Sequence, residues 1–214
     1  MRQFLAIGIL AAAVLLSGCG LGKGSNSQAE VQKAVIENIM SRKSVRSFTG
    51  EKLSEEQITT LLKAAMAAPS AINIQPWKFV VVSDDAVKQE IWGEDRQADT
   101  FLKAGAVFIV CGESMTVRKP FGKPDSEPEP CENPFWFEDC SAAAENLLLA
   151  AEAMGLGAVW TAAYPIEGRM KQYIDALNIP ENVLPLCAIP VGYPAVDEQS
   201  KDKWVPENIH YNRW

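Results

Sequence analysis

The sequence contains 214 residues, of which 48% are hydrophobic and 22% are charged. This composition is typical of one globular domain large enough to bury its own core, and it excludes disorder as the default state. The formal net charge of -7 argues against a surface that neutralises nucleic-acid phosphates, although a few cations in one pocket suffice for a single phosphate group.

The N-terminus has the pattern of an export signal. Arg2 is followed by an apolar run and then by small residues that end at Cys19. The run is too short to cross a bilayer comfortably, which indicates a secretory signal; the alternative is an uncleaved anchor. Because the residues before Cys19 resemble a bacterial lipobox, we predict a signal peptide over 1–18, lipidation of Cys19, and a flexible tether over 19–30.

Two helices are predicted before the first strand. Apolar residues at helical spacing indicate a helix from residue 31 to about residue 42. In the second helix, Ser54 and Gln57 form a capping box, an apolar stripe follows, and Pro69 ends the helix. The polar stretch "PSAINIQPW", residues 69–77, therefore follows a helix, in a loop of the kind that often carries binding groups.

The rest of the chain alternates between strand and helix patterns. Short apolar runs predict four strands, at residues 78–83, 106–112, 158–165 and 185–194. Residues 118–134 are rich in proline and acid and predict an exposed, irregular excursion. A largely apolar helix follows, and a further helix separates the last two strands. This order predicts an α/β or α+β sandwich around one central sheet, in a domain covering 31–214.

The cysteines do not have the spacing of a metal site. No C-x-x-C pair occurs, so no metal is predicted. Cys131 and Cys140 flank a local loop that a disulfide could close after export, whereas Cys111 and Cys187 lie in apolar runs typical of buried thiols. The disulfide status of all four stays open.

Two further segments stand out beside "PSAINIQPW". "SRKSVRSF" places several cations within five residues; alone it is a solvated basic patch, or else a phosphate clamp, since arginine offers a bidentate fork and lysine and serine add donors. "YPIEG" alone is an ordinary helix start, with a proline and an acid in the first turn.

Taken together, these segments resemble the FMN-dependent nitroreductase family. "RKSVRSF", "PSAINIQPWKFVVVS", "DCSAAAENLLLAAEAMGLGAVW", "PIEG" and "VGYP" with a basic tail occur in the family's order, over essentially the whole mature chain. The resemblance implies an α+β fold, a three-layer sandwich with a central mixed sheet, and an intertwined homodimer. It also implies FMN at the subunit interface, reduced by NADH or NADPH in a ping-pong cycle.

The resemblance also implies which residues contact the cofactor. The FMN phosphate and ribityl chain would be held by Arg42, Lys43 and Ser44, with Arg46 nearby, and by Lys201 and Lys203. Arg213 would be a third cation of the C-terminal tail.

The flavin ring would be contacted by two other segments. The partner subunit would reach it with Pro69, Ser70, Ala71 and Asn73, while Gln75 and Trp77 brace that loop. Backbone N–H groups of Glu167 and Gly168 would face the flavin N5 and O4 edge, because a glycine lets backbone approach closely. Many members also place a lysine and an asparagine at the N1 and O2 edge; here Arg96 is the only substitute cation.

The implied chemistry belongs to the cofactor, so no side-chain acid or base is assigned, and the lone His210 is expected to be a surface or structural residue. The expected function is reduction of nitroaromatic, quinone or similar acceptors with NAD(P)H or another donor, by a bacterial lipoprotein outside the cytoplasm. Alternatives are a non-catalytic flavin-binding lipoprotein, a reductive dehalogenase on the same scaffold, and a surface-adhesion or scaffold lipoprotein without flavin.

Overall fold

The structure is a computed structural model that describes residues 23–119, 123 and 125–214. Within this range the α-helices are α1 Lys23–Ser41, α2 Glu55–Met66, α3 Asp85–Trp92, α4 Ala98–Leu102, α5 Trp136–Ala153 and α6 Glu167–Leu177. The strands are β1 Trp77–Val82, β2 Ala106–Glu113, β3 Met115–Arg118, β4 Glu129–Glu132, β5 Gly157–Ala158, β6 Thr161–Ala162 and β7 Val183–Gly192. The predicted signal peptide and the lipidation site Cys19 lie outside the described residues.

The chain divides into two compact units, residues 1–36 and 37–214. The described part of the first unit is helical from Lys23 onward, so residues 23–30 of the predicted flexible tether are helical. Gly24, Ser25, Asn26 and Ser27 are weak helix formers, so intrinsic propensity does not explain this part of the helix. Among the described helices, none is both long enough and apolar enough to cross a membrane.

The second unit is built on one antiparallel sheet with strand order β1-β2-β7-β5, in which β6 also pairs with β7. The predicted mixed sheet is therefore corrected: in the described residues, parallel pairing is limited to an isolated bridge between Ser44 and Ala158. Alternation of strands and helices in the sequence does not fix strand direction. Between β1 and β2, helices α3 and α4 bring the chain back to the end of the sheet where β1 stops, so β2 runs antiparallel to β1.

Hydrophobic cores lie on both faces of the sheet. On β2, Phe108 and Val110 belong to one core together with residues of α2 and α5. Their neighbours Val107 and Ile109 belong to the other core with residues of α3, α4 and α6. Because successive side chains of a strand point to opposite faces, this alternation confirms the predicted three-layer α+β sandwich.

The segment predicted as an irregular excursion is more regular than expected. Strands β3 and β4 pair as an antiparallel hairpin around residues 119–128. At its base the side chain of Asn133 is 2% exposed and accepts a hydrogen bond from the backbone N–H of Phe135 at 3.3 Å. The alternating exposure along Met115–Arg118 provides the period of a strand, which proline and acid content alone does not reveal.

A buried lysine of α3 connects this helix to the end of α4. It also pairs with Asp85, which in turn pairs with Lys52 in the loop before α2. The Lys88 side chain is 1% exposed and its Nζ donates to the backbone oxygens of Leu102 at 3.1 Å and Ala104 at 2.9 Å. Hydrogen bonds from Lys52 and Lys88 lower the pKa of Asp85 to about 2, and burial lowers the pKa of Lys88. The network fixes α4 beside the segment that carries Arg46, whose carbonyl oxygen accepts from the Thr100 hydroxyl at 2.9 Å.

The four described cysteines are free thiols. Cys111, Cys140 and Cys187 are buried, and the Cys140 Sγ donates to the Cys111 carbonyl oxygen at 3.4 Å. Burial raises the pKa of Cys111 and of Cys140 to about 12. These thiols are therefore small core residues rather than nucleophiles.

Stability is expected to fall in alkaline solution because of these thiols. The folded pKa lies above the unfolded value of 9.0, so this stability is present below pH 9 and is lost as pH rises toward 12. Between about pH 8 and pH 10.5, each thiol costs about 2 kcal/mol of unfolding free energy. Urea titrations of wild type and Cys140→Ala at both pH values should show a smaller loss in the variant. Equal losses would contradict the buried neutral thiol.

Candidate anion site and flavin-facing segments

The residues 42–46 follow α1 and are fixed against the sheet. The Val45 backbone N–H donates to the Ala158 carbonyl oxygen at 3.0 Å. A Cβ atom at Gly157 would lie 2.6 Å from Cγ1 of Val45, so only glycine permits this approach. The polar side chains on either side of the buried Val45 are left partly or fully exposed.

The C-terminal arm, residues 194–214, begins beside the same segment. The Ala195 N–H donates to the Ser47 carbonyl oxygen at 2.9 Å, and the Thr49 N–H donates to the Tyr193 carbonyl oxygen at 3.0 Å. Phe48 also forms an antiparallel bridge with Pro194. This pairing carries the arm past residues 42–46, although the two segments lie at opposite ends of the chain.

The two segments together enclose a pocket of about 300 Å³, which we call the anion pocket. Its lining residues are Arg42, Lys43, Ser44, Arg46, Glu198, Gln199, Lys201 and Lys203. Five cationic side chains thus converge in a chain of net charge -7. A cluster of arginine, lysine and hydroxyl donors in a concave site is suited to bind a phosphate group.

Two carboxylates of α5 pair with the cations of this pocket. Glu145 Oε1 lies 3.2 Å from Arg42 Nε, and Glu152 Oε1 lies 3.1 Å from Lys43 Nζ. Neither acid was predicted as a site residue from the sequence, although the spacing of the two acids in α5 is informative. Acids seven residues apart in a helix lie on the same helix face, and this spacing predicts charged partners for them there.

The loop 69–75 has an unusual backbone. Ile72, Asn73 and Gln75 have φ values of 45°, 59° and 54°, the left-handed region that a β-branched residue such as isoleucine rarely adopts. The Ser70 Oγ accepts a hydrogen bond from the Gln75 N–H at 3.0 Å, which closes the loop on itself. Strain of this kind persists only where surrounding contacts enforce it and is common at ligand sites.

A buried carboxylate holds this loop in place. Asp139 in the first turn of α5 is 6% exposed, and its Oδ1 accepts from the Ala71 N–H at 2.9 Å. Its Oδ2 is buried and has no hydrogen-bond partner within the described residues. Sequence reasoning missed Asp139 because an acid in the first turn of a helix is ordinary.

Helix α6 begins at the segment "PIEG". The first N–H groups of an α-helix, here at Glu167 and Gly168, have no intrahelical acceptor, and the N-cap residue Ile166 supplies no side-chain hydrogen bond. A Cβ atom built at Gly168 would meet nothing within 4 Å. Packing within the chain therefore does not require glycine here, and the backbone faces open space.

Aromatic rings connect the start of α6 to α5. The Tyr164 ring lies edge-on to Trp136 at 5.0 Å between centroids and is tilted against Phe137 at 5.6 Å. Since Asp139 in the same helical turn holds Ala71, the first turn of α5 supports both predicted flavin-facing segments.

The predicted site residues thus fall into two groups. Of the residues predicted for the phosphate, Arg42, Lys43, Ser44, Arg46, Lys201 and Lys203 line the anion pocket, whereas Arg213 does not. Pro69, Ser70, Ala71, Asn73, Glu167 and Gly168 do not line it, and their cofactor contacts stay predictions, as does the supply of the loop by a partner subunit. Arg96 is exposed in the turn between α3 and α4, and its role is likewise a prediction. His210 is exposed, and its ring is tilted by 30° against that of Trp214 with centroids 4.0 Å apart.

Fold and pocket together define an α+β protein with a cationic pocket suited to a phosphate group. The model of the nitroreductase family matches residues 39–193. The chain belongs to the nitroreductase family and is an oxidoreductase of that general type.

Individual relatives agree with this assignment. A Methanothermobacter thermautotrophicus protein, provisionally named as an NADH dehydrogenase/NAD(P)H nitroreductase, is 37% identical over 180 residues, covering 84% of this chain and 87% of its own. An NADPH-dependent FMN reductase of Bacillus subtilis is 33% identical over 75% of this chain and 66% of its own. A Bacteroides thetaiotaomicron crystal structure with the same provisional name as the first is 45% identical, with a TM-score of 0.74 over 85% of this chain and 98% of its own.

Proposed function

We propose that the protein is an FMN-dependent oxidoreductase that transfers electrons from NAD(P)H or another donor to nitroaromatic, quinone or similar acceptors by a ping-pong mechanism. The observation that carries the proposal is the anion pocket, in which five cations converge from residues 42–46 and the C-terminal arm. The cofactor is FMN, the flavin named in the activity of the Bacillus subtilis relative.

The residues present suit this cofactor. The anion pocket would hold the phosphate, with the forked Arg42 and the hydroxyl of Ser44 as donors. The open space at Gly168 would admit the flavin edge, where the two free N–H groups at the N-terminus of α6 stabilise negative charge. When bound, the flavin accepts and donates hydride at N5.

Side chains of this protein bind, orient and polarise rather than exchange protons. The loop 69–75 is held by Asp139 in a fixed, strained shape that would press against a planar ring. The exposed aromatic side chain of Phe137, beside Tyr164, offers a surface on which an aromatic acceptor can stack.

The functional unit is a homodimer. In the second unit, large apolar side chains are exposed on the end of α1 and along the C-terminal arm, including Met40, Trp204 and Tyr211 at 73%, 70% and 83% exposure. Ile39, Met40 and Trp204 line a groove of about 730 Å³ that shares Arg42, Lys201 and Lys203 with the anion pocket. A second copy covering these side chains would place a partner's loop near the cofactor.

The protein acts outside the cytoplasm, held to the membrane by a lipid on Cys19. Support comes from the lipobox-like residues before Cys19. Little NAD(P)H is present there, so a membrane-bound or periplasmic electron donor is part of this proposal.

An anaerobic titration of the purified chain carrying Cys19→Ser with NADPH tests the activity. Visible absorbance should show a yellow protein whose flavin bleaches within seconds. A yellow spectrum that persists with NADPH but bleaches with dithionite would favour another donor or a non-catalytic flavin-binding protein. A protein that stays colourless after added FMN would reject the proposal.

A second candidate activity is reductive dehalogenation. It is favoured by an iodotyrosine deiodinase of Thermotoga neapolitana that is 34% identical over 186 residues, covering 80% of this chain and 94% of its own. The dithionite-reduced protein should then release iodide from 3-iodotyrosine. Reduction of a nitroaromatic without iodide release would reject this candidate alone.

A further inference from the structure

One cation of the anion pocket is held by a carboxylate that does not line the pocket. Lys43 Nζ donates to Glu152 Oε1 at 3.1 Å, with side chains 25% and 13% exposed. Glu152 lies near the end of α5, a rigid helix packed in the core through Leu148 and Ala151. The carboxylate therefore has a fixed position from which it can orient the flexible lysine.

The ion pair with Glu152 uses only part of the hydrogen-bonding capacity of Lys43. An ammonium group has three N–H donors, so the bond to Glu152 leaves the others available to a ligand. Arg42 is paired in the same way, because Glu145 contacts its Nε and leaves the outer edge of the guanidinium unoccupied by that acid. Both acids of α5 thus hold one side of a cation while the other side lines the pocket.

The acids also set the charge of the site. Five cationic side chains line the pocket together with Glu198, and Glu145 and Glu152 pair from behind. The balance is close to two positive charges, which matches a phosphate monoester of about -1.5 to -2 at neutral pH.

We infer that Glu152 is a positioning residue that holds Lys43 for the terminal phosphate of the flavin and so favours FMN over riboflavin. The inference rests on the proposed function and goes beyond it by adding a residue on α5 to the recognition of the phosphate. Removing Glu152 makes the pocket more positive, but this gain is screened by solvent, whereas the freed lysine must be ordered again when the phosphate binds; the net effect that we expect is a loss of FMN affinity.

The test measures dissociation constants for FMN and riboflavin by quenching of flavin fluorescence, on the full chain carrying Cys19→Ser. Glu152→Ala should weaken FMN binding about tenfold, the effect of one charge-assisted hydrogen bond. Riboflavin binding should change less than about twofold because it lacks the phosphate. Glu152→Gln keeps the acceptor and should stay within about threefold of wild type for FMN.

A double-mutant cycle separates positioning from general stability. On a Lys43→Ala background, Glu152→Ala should cause no further loss of FMN affinity. Glu90→Ala is the matched control, because it removes an exposed acid from α3, away from the pocket.

The inference would be overturned if Glu152→Ala leaves FMN affinity unchanged or weakens riboflavin binding as much as FMN binding. It would also be overturned if Glu152→Ala still weakens FMN binding on the Lys43→Ala background, or if Glu152→Gln weakens FMN binding by more than about threefold. If the wild-type chain binds no FMN, the proposed function fails as well. FMN binding by wild type with an unaffected Glu152→Ala rejects only the role of Glu152.

Discussion

Replacing Lys201 and Lys203 together with alanine is expected to weaken FMN binding about a hundredfold or more. Both side chains line the anion pocket from the C-terminal arm. A hydrogen bond to a charged group contributes about 1.5–3 kcal/mol, and two such losses exceed the 2.7 kcal/mol of a hundredfold change. The substitutions also remove the whole positive balance of the pocket, which is close to two charges. Flavin fluorescence quenching at several salt concentrations measures the effect.

The loss should be specific to the phosphate. Riboflavin binding should change little, and the dependence of FMN affinity on salt should become shallower as charges are removed. Lys103→Ala with Lys171→Ala is the matched control, since both lysines pair with exposed acids, Asp99 and Asp175, elsewhere on the surface. Equal weakening for riboflavin, or an equal effect in the control, would show that the arm matters only for folding.

Only part of the anion pocket could be predicted from the sequence alone. The cluster of cations in residues 42–46 is evident from the sequence, but the cluster alone does not distinguish a phosphate clamp from a solvated basic patch. Only the resemblance to known proteins joined it to Lys201 and Lys203, because the pairing of Ser47 with Ala195 depends on tertiary contacts between distant parts of the chain. The acids of α5 needed the same information to be recognised as partners.

Local signals succeeded where one element determines the outcome. The capping box at Ser54 and Gln57 forms as predicted, with the Gln57 N–H donating to the Ser54 Oγ at 3.2 Å. Strand direction and the left-handed backbone at Ile72 were not accessible in this way. Strand direction depends on contacts outside the local sequence, and the loop that contains Ile72 is anchored from outside by Asp139, which accepts a hydrogen bond from the Ala71 N–H.

Replacing Gly168 with valine is expected to lower turnover about a hundredfold while leaving the fold intact. A Cβ atom at this position meets nothing within 4 Å, so the side chain enters open space. If the flavin edge occupies that space, the new methyl groups displace it, and a displacement of about 1 Å can cost a hundredfold in rate. Steady-state reduction of a nitroaromatic, together with thermal unfolding, measures both effects.

Thermal unfolding of Gly168→Val distinguishes displacement of the flavin from damage to the fold. Glycine is a poorer helix former than valine, so a side chain that meets no neighbour at the second position of α6 should leave the melting temperature unchanged or raise it slightly. Lys171→Val on the exposed face of α6 serves as the control, since it adds the same side chain away from the helix N-terminus. Full turnover in Gly168→Val would place the flavin elsewhere. A stable, slow variant would mean that the helix keeps a destabilising glycine because a cofactor, and not the chain itself, fills the adjoining space.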